Sequence, residues 1–149
     1  MEDNRQAEKP IIVETTFAVD LNEVWQALTD KDQMKEWYFD IKDFRPEPGA
    51  EFKFYAGDEK TQYLHLCQIK EVTPRRKISY TWKYDYDPGV SLVTFEIFPE
   101  GNRTRLKLTH EGIHNFSKDH PELGKENFVK GWNEIVNSGL KNYLENKFE

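Results

Sequence analysis

The sequence is poor in the features on which several classes of protein depend. It contains a single cysteine, Cys67, in 149 residues, which excludes an intrachain disulfide framework. No apolar run approaches the roughly 20 residues that a membrane-spanning helix needs. The first ten residues are polar and lack the apolar core of a secretory signal. We therefore expect neither a membrane helix nor export, and we expect a cytoplasmic protein.

Positive charge is scarce and dispersed. The chain has 21 Lys and Arg against 27 Asp and Glu, for a net charge of −6. Its densest basic stretch is only Arg75, Arg76 and Lys77. A nucleic-acid-binding face and a surface that docks on anionic membranes both need clustered basic residues. We therefore expect neither nucleic acid nor a membrane as a partner.

Aromatic residues are what the sequence has in excess. They make up 14% of the chain, within a composition that is 37% hydrophobic and 32% charged. Large aromatic side chains favour strands and concave pockets. The length suits one domain with a substantial core. We assign residues 1–10 to a flexible leader and residues 11–149 to a single domain.

Short strands dominate the chain before a long terminal helix. Period-two alternation and turns rich in Pro, Gly and Asn predict antiparallel hairpins. Two short helices follow the first strand, with Asp20 and Asp30 as their N-terminal caps. The stretch DYDPG (85–89) is predicted to be a turn. The predicted strands are 11–17, 50–56, 61–72, 78–84, 91–98 and 103–112.

The alternation gives most strands one apolar face and one polar face, as in an antiparallel sheet covered on one side. The third strand is ambiguous, because apolar residues lie on both of its faces. We place Tyr63, His65 and Cys67 inward, since the opposite face carries Gln68 and Lys70. On the other strands, the inward set includes Phe52, Phe54, Tyr80, Trp82, Phe95 and Leu108.

Residues 124–147 have the pattern of a single amphipathic α-helix. Gly131 and Gly139 lie beside its apolar stripe, where a missing side chain would let the sheet approach closely. Only the sheet and the two short helices remain to cover this stripe. We therefore expect the sheet to curl around the helix, which can enclose a cavity. The stripe consists of Phe128, Trp132, Ile135, Val136, Leu140, Tyr143 and Leu144.

Four motifs in order resemble the START-like (SRPBCC) superfamily, and in particular its branch similar to the activator of heat-shock protein 90 ATPase. The resemblance covers residues 11–146. It implies an α+β helix-grip fold, in which a curved six-stranded antiparallel sheet wraps around a long C-terminal helix. The motifs are VETTFAVDLNEVWQALTDKDQMKEWY, PRRKISYTW, LVTFEIFPEGNRTRLKLTHEG and KGWNEIVNSGLKNYLE.

The chain departs from this family's pattern in places. It has Pro48, Gly49 and Ala50 where relatives often carry two glycines, and Trp37-Tyr38 where they carry two tryptophans. The eukaryotic co-chaperone also has a separate N-terminal domain, for which this chain has no room. Contact with a chaperone therefore rests on family analogy alone.

The resemblance and the aromatic excess together predict a binding cavity between sheet and helix. A filled core is the open alternative, because close packing is the rule for protein interiors. The leading hypothesis is a non-enzymatic protein that binds a small apolar or aromatic ligand, with no cofactor. The candidate pocket residues are Phe52, Phe54, Tyr63, His65, Tyr80, Trp82, Phe95, Leu108, Phe128, Trp132, Ile135 and Val136.

Two other functions remain open. One is a cyclase-like or hydrolase-like enzyme that uses His65 in the cavity. The other is a stress-related, co-chaperone-like interaction module, which would need a groove on the outer face of the sheet. We expect His110 and Glu111 to point to opposite faces, and thus not to form an acid–base pair. His114 and His120 show no metal-ligand spacing, so we expect no metal.

Overall fold

The computed structural model describes residues 9–57 and 60–146. Six antiparallel strands form one sheet in the order β1-β6-β5-β4-β3-β2. The curved sheet and the C-terminal helix form the helix-grip arrangement that the sequence predicts. The strands are β1 (Ile11–Phe17), β2 (Glu51–Gly57), β3 (Gln62–Thr73), β4 (Lys77–Tyr84), β5 (Asp87–Glu100) and β6 (Arg103–Glu111).

Two short helices, α1 (Leu21–Thr29) and α2 (Lys31–Trp37), follow β1. Each begins after a predicted aspartate cap. The Asp20 carboxylate accepts the Glu23 N–H at 3.0 Å, and that of Asp30 accepts the Asp32 N–H at 3.0 Å. A carboxylate at this position satisfies an amide that the first helical turn leaves without a partner. The predicted helix starts are thus confirmed.

The inward orientation of β3 is also confirmed. His65, Cys67 and Ile69 are buried, and Tyr63 is half-buried against the core. The register explains this, because β2 places its buried Phe54 opposite His65 and its buried Phe52 opposite Cys67. Directly paired residues lie on the same face of a sheet. Leu64 and Leu66 therefore point outward despite their apolar side chains.

The predicted turn at 85–89 is wrong at its C-terminal end. Tyr84 pairs with Asp87, so the turn is only two residues long and β5 already includes Pro88 and Gly89. A side chain at Gly89 would collide with the backbone carbonyl of Asn115. The glycine therefore serves close approach by the loop after β6 rather than a turn.

The sequence predicts one continuous α-helix at the C-terminal end, and this prediction is wrong in the middle of the helix. The helix consists of α3 (Lys125–Asn133), a π-helical segment (Glu134–Leu140) and α4 (Lys141–Asn146). The Lys141 N–H donates to the carbonyl oxygen of Val136, five residues earlier. The wider π turn holds more residues, which keeps side chains four apart on one face. The fully covered row is Trp132, Val136, Leu140 and Leu144.

The two helix glycines have different neighbours from those expected. A Cβ at Gly131 would meet nothing within 4 Å, so no sheet strand approaches it. A Cβ at Gly139 would lie 3.2 Å from the carbonyl oxygen of Trp37. The close neighbour there is the end of α2, not the sheet.

Among the described residues, no helix is long and apolar enough to cross a membrane.

Candidate functional site

A cavity of about 290 Å³ lies between the start of the C-terminal helix and the ends of β2, β3 and β4. Its wall is mainly aromatic, and Gly131 leaves open space where a side chain would stand. The lining residues are Phe39, Ala56, Gly57, Tyr63, His65, Trp82, Asn127, Phe128, Gly131, Trp132 and Ile135.

The structure divides the twelve predicted pocket residues into two groups of six. Tyr63, His65, Trp82, Phe128, Trp132 and Ile135 lie on the cavity wall. The other six are buried in the packed core and do not line this cavity: Phe52, Phe54, Tyr80, Phe95, Leu108 and Val136. Both open alternatives therefore occur in the molecule, since one end of the aromatic interior is closely packed and the other is open.

The sequence reasoning missed five wall residues, Phe39, Ala56, Gly57, Asn127 and Gly131. Phe39 follows α2 directly and stacks on Phe54 with ring centroids 4.5 Å apart. Its place beside Trp37 and Tyr38 was a signal in the sequence, because three consecutive aromatics after a short helix rarely all face solvent. Gly131 gave no such signal, since open space around a glycine is a tertiary property.

The rings on the wall hold one another at fixed angles. Trp82 and Trp132 approach edge to face, with centroids 5.3 Å apart and planes at 61°. Trp132 also contacts Tyr38, at 6.3 Å. Offset and edge-to-face aromatic pairs are each worth about 0.5–1.5 kcal/mol beyond their burial. The sheet side and the helix side of the cavity are thereby braced against each other.

His65 is the main titratable group on the cavity wall. Its Nδ1 lies 2.9 Å from the carbonyl oxygen of Tyr63, which can only accept, so Nδ1 carries the proton. Burial lowers the pKa of His65 to about 4, against the opposing effect of the Tyr63 and Phe54 backbone oxygens. The imidazole is therefore neutral near pH 7, and its Nε2 has a lone pair.

His110 is fully buried in a network that the sequence did not predict. The Trp132 indole N–H donates to His110 Nδ1 at 2.9 Å, and His110 Nε2 lies 2.7 Å from Ser91 Oγ. Because Nδ1 accepts, the proton of the neutral ring must be on Nε2, which donates to Ser91. Burial lowers the pKa of His110 to about 3.

This proton arrangement is the reverse of a nucleophilic Ser–His pair. A catalytic histidine accepts the serine proton, whereas Ser91 here donates its proton to the Trp82 carbonyl oxygen at 2.9 Å. The network therefore fixes Trp132, and with it one wall of the cavity. Glu111 is exposed whereas His110 is buried, so the prediction that these two side chains point to opposite faces of β6 is confirmed.

A second polar cluster lies in the loop before the C-terminal helix. The buried Asp87 carboxylate accepts the N–H groups of Gly89 and Ser117 and is 2.8 Å from His120 Nδ1. Burial alone would raise the pKa of Asp87, but these hydrogen bonds outweigh it and lower the pKa. His120 is thus hydrogen-bonded to Asp87 and only partly exposed to solvent. No group of three metal-ligating residues forms within residues 9–57 and 60–146.

The fold has counterparts among solved structures. Protein MLL2253 from Mesorhizobium loti is 26% identical, with a TM-score of 0.77, and the match covers 91% of this chain and 96% of that one. The Aha1 dimer from Colwellia psychrerythraea is 18% identical, with a TM-score of 0.72, covering 92% and 96%. DynU16, from the dynemicin biosynthetic locus, is 19% identical, with a TM-score of 0.77.

The DynU16 match covers 94% of this chain but 48% of DynU16, so this chain spans about half the length of that relative. None of the curated proteins compared matches the sequence. A family model does, and it is described as activator of Hsp90 ATPase homolog 1-like protein. It matches residues 18–145, from the end of β1 to the last turn of the C-terminal helix, and the chain therefore belongs to this family.

Proposed function

We propose that this protein binds a small apolar or aromatic ligand, without catalysis, in the cavity between the sheet and the C-terminal helix. The observation that carries this proposal is the open volume beside Gly131, walled by Trp82, Phe128 and Trp132. A flat hydrophobic surface among these rings would gain about 25 cal/mol per Å² on leaving water. We place this binding activity in the cytoplasm.

The cavity volume suggests the size of the ligand. At about 290 Å³ it lies at the lower end of the usual range for small-ligand sites. A cavity of about 150 Å³ accommodates benzene. A molecule of two fused rings fits this space, and Asn127 and His65 provide polar contacts to one substituent. Naphthalene, 2-naphthol and indole are suitable probes.

A cavity-filling variant tests the proposal. Gly131→Leu sends a side chain into open space, whereas Lys130→Leu adds the same side chain on the exposed side of the same helix turn. Binding of the three probes is measured by ligand-observed NMR on wild type and both variants. We expect Gly131→Leu alone to lose binding. Absence of binding to wild type, or equal binding by all three proteins, would refute the proposal.

An enzymatic role for His65 is the second candidate, because His65 lies on the wall and keeps one unprotonated nitrogen. Its low pKa weakens this candidate, since a general base works best with a pKa near the working pH. A base with a pKa of about 4 holds an abstracted proton poorly at neutral pH. The unprotonated Nε2 of His65 is better suited to accept a hydrogen bond from a ligand hydroxyl than to act as a base. His65→Phe should therefore weaken 2-naphthol binding but not naphthalene binding.

A further inference from the structure

A groove of about 670 Å³ lies on the outer face of the sheet, on the opposite side from the ligand cavity. We call it the outer groove, and its floor and rim include Lys53, Leu66, Lys70, Thr81, Lys83 and Val90. Val90 is 41% exposed, and the neighbouring Tyr55 on β2 is 67% exposed. The outer groove thus combines apolar side chains with three lysines.

The strand register places two of the lysines in one row across the sheet. Lys53 on β2 pairs with Leu66 on β3, and Leu66 pairs with Lys83 on β4. Adjacent strands are about 4.8 Å apart, so the two lysine backbones are about 10 Å apart. This is within about one Debye length at 0.1 M salt, so the two ammonium groups repel each other.

Elsewhere on the same face, the charges alternate in sign. The register aligns Glu14, Lys107, Glu96 and Lys77 in one row over β1, β6, β5 and β4. Arg105 lies 2.9 Å from Glu100 and 3.6 Å from Glu14, and Lys77 lies 3.4 Å from Glu71. Arg105 and Lys77 are therefore neutralised within the chain.

Among the described residues, the Lys53–Leu66–Lys83 row has no such partner. Within residues 9–57 and 60–146, no carboxylate lies within 4.0 Å of the ammonium group of Lys53 or Lys83. Asp43 and Glu51 line one end of the outer groove without reaching either group. In a chain with a net charge of −6, two lysines without an ion-pair partner in the described part of the chain flank the half-buried Leu66.

We propose that the outer groove docks a short acidic segment of a partner protein, with an apolar side chain on Leu66 and Val90 and carboxylates on Lys53 and Lys83. Charge complementarity favours this occupant, since no carboxylate of the described residues completes the row and an external anion would. An apolar anchor is needed as well, because exposed ion pairs alone contribute little. The net negative charge disfavours an anionic membrane as the occupant.

The test uses a fluorescein-labelled synthetic peptide, GDDLDLDDG, in fluorescence anisotropy titrations at low salt. The groove variant K53E/K83E is compared with K118E/K130E, which changes the net charge equally at exposed sites away from the groove. We expect wild type and K118E/K130E to bind alike and K53E/K83E to bind at least about tenfold more weakly. Replacing the peptide leucines with serine should also abolish binding.

Further measurements keep the result decisive. The variant K53Q/K83Q repeats the test without new negative charge, in case the charge reversal in K53E/K83E unfolds the protein. Circular dichroism checks that each variant is folded. Equal weakening in both double variants, or binding of the serine peptide, overturns the proposal. Binding to phosphatidylserine vesicles in place of the peptide also overturns the proposal. So does self-association that buries the groove against a second copy, with the oligomeric state measured by sedimentation. Naphthalene binding in the cavity should be unchanged in all these variants.

Discussion

At the residue scale, the two buried histidines show how the same side chain serves different ends. His65 donates from Nδ1 to its own strand and lines the cavity, whereas His110 accepts at Nδ1 from Trp132 and lies sealed behind it. Both are neutral because burial disfavours the charged ring. The different tautomers follow from the different partners.

The His110–Trp132 hydrogen bond should be measurable as stability. Trp132→Phe keeps an aromatic ring but removes the donor, which leaves His110 Nδ1 buried without a partner. Such a group costs about 1–3 kcal/mol, in addition to the lost ring volume. We expect urea unfolding to show a larger loss for Trp132→Phe than for Trp25→Phe, at a half-buried position. Equal losses would contradict the proposed network.

The lowered pKa values of the two buried histidines predict that the protein loses stability in acid. In the unfolded chain, histidine has a pKa of about 6.5 and binds a proton below it. The folded values are about 4 for His65 and about 3 for His110, so the unfolded state binds more protons between these limits. The free energy of unfolding therefore has its full value above about pH 6.5. It falls as the pH drops toward the pKa values of the folded state, by up to about 1.4 kcal/mol per histidine per pH unit.

Chemical denaturation at about pH 7 and about pH 5.5 measures this loss, because in that range the carboxylates contribute little. His110→Asn removes one titrating ring, so its stability should change less with pH than that of wild type. The lowered pKa of Asp87 adds its own loss only below about pH 4. An unchanged slope in His110→Asn would show that His110 is not the group that titrates.

At the element scale, the C-terminal helix offers a matched pair of glycines. Alanine at Gly131 meets open space, so the substitution should stabilise the protein by up to about 1 kcal/mol through helix propensity. Alanine at Gly139 lies 3.2 Å from the Trp37 carbonyl oxygen, so α2 must give way and part of the gain is lost. Thermal unfolding should rank Gly131→Ala above Gly139→Ala. The reverse order would refute this account.

The elements differ in how well local sequence predicts them. The starts of α1 and α2 are predictable because an aspartate cap acts within one helical turn. The beginning of β5 is not, because Pro88 and Gly89 have the composition of a turn and only the packing of Asn115 explains the glycine. The π segment is likewise hidden, since a change in hydrogen-bond register leaves the apolar pattern nearly unchanged.

At the scale of the whole molecule, Cys67 should report global opening. Cys67 is 5% exposed, and burial raises the pKa of its thiol, so the reactive thiolate is suppressed. We expect reaction with a disulfide reagent only as fast as the protein unfolds, and more slowly when naphthalene is bound. A Cys67→Ala protein carrying Tyr55→Cys, at an exposed position, should react at once. Equally fast reaction of Cys67 would contradict the buried core.

About half of the candidate site could be predicted. Tyr63, His65, Trp82, Phe128, Trp132 and Ile135 were placed correctly inward by strand and helix periods, and they line the cavity. Phe52, Phe54 and Tyr80 have the same local pattern but lie in the core. The period of a strand or helix shows on which face a side chain lies. It does not show whether the space next to that side chain is filled by other residues.

The sequence by itself determined the order of strands along the chain, the helix caps and the inward faces, because these depend on neighbours within a few residues. It also determined the family, because the motifs that carry the resemblance follow one another in order along the chain. Only the tertiary structure decided that the interior is open near Gly131 and closed near Tyr80, that His110 binds Trp132, and that Lys53 and Lys83 share a row. Each of these depends on residues far apart in the chain. Curvature and strand register bring them together, and neither can be read from a local pattern.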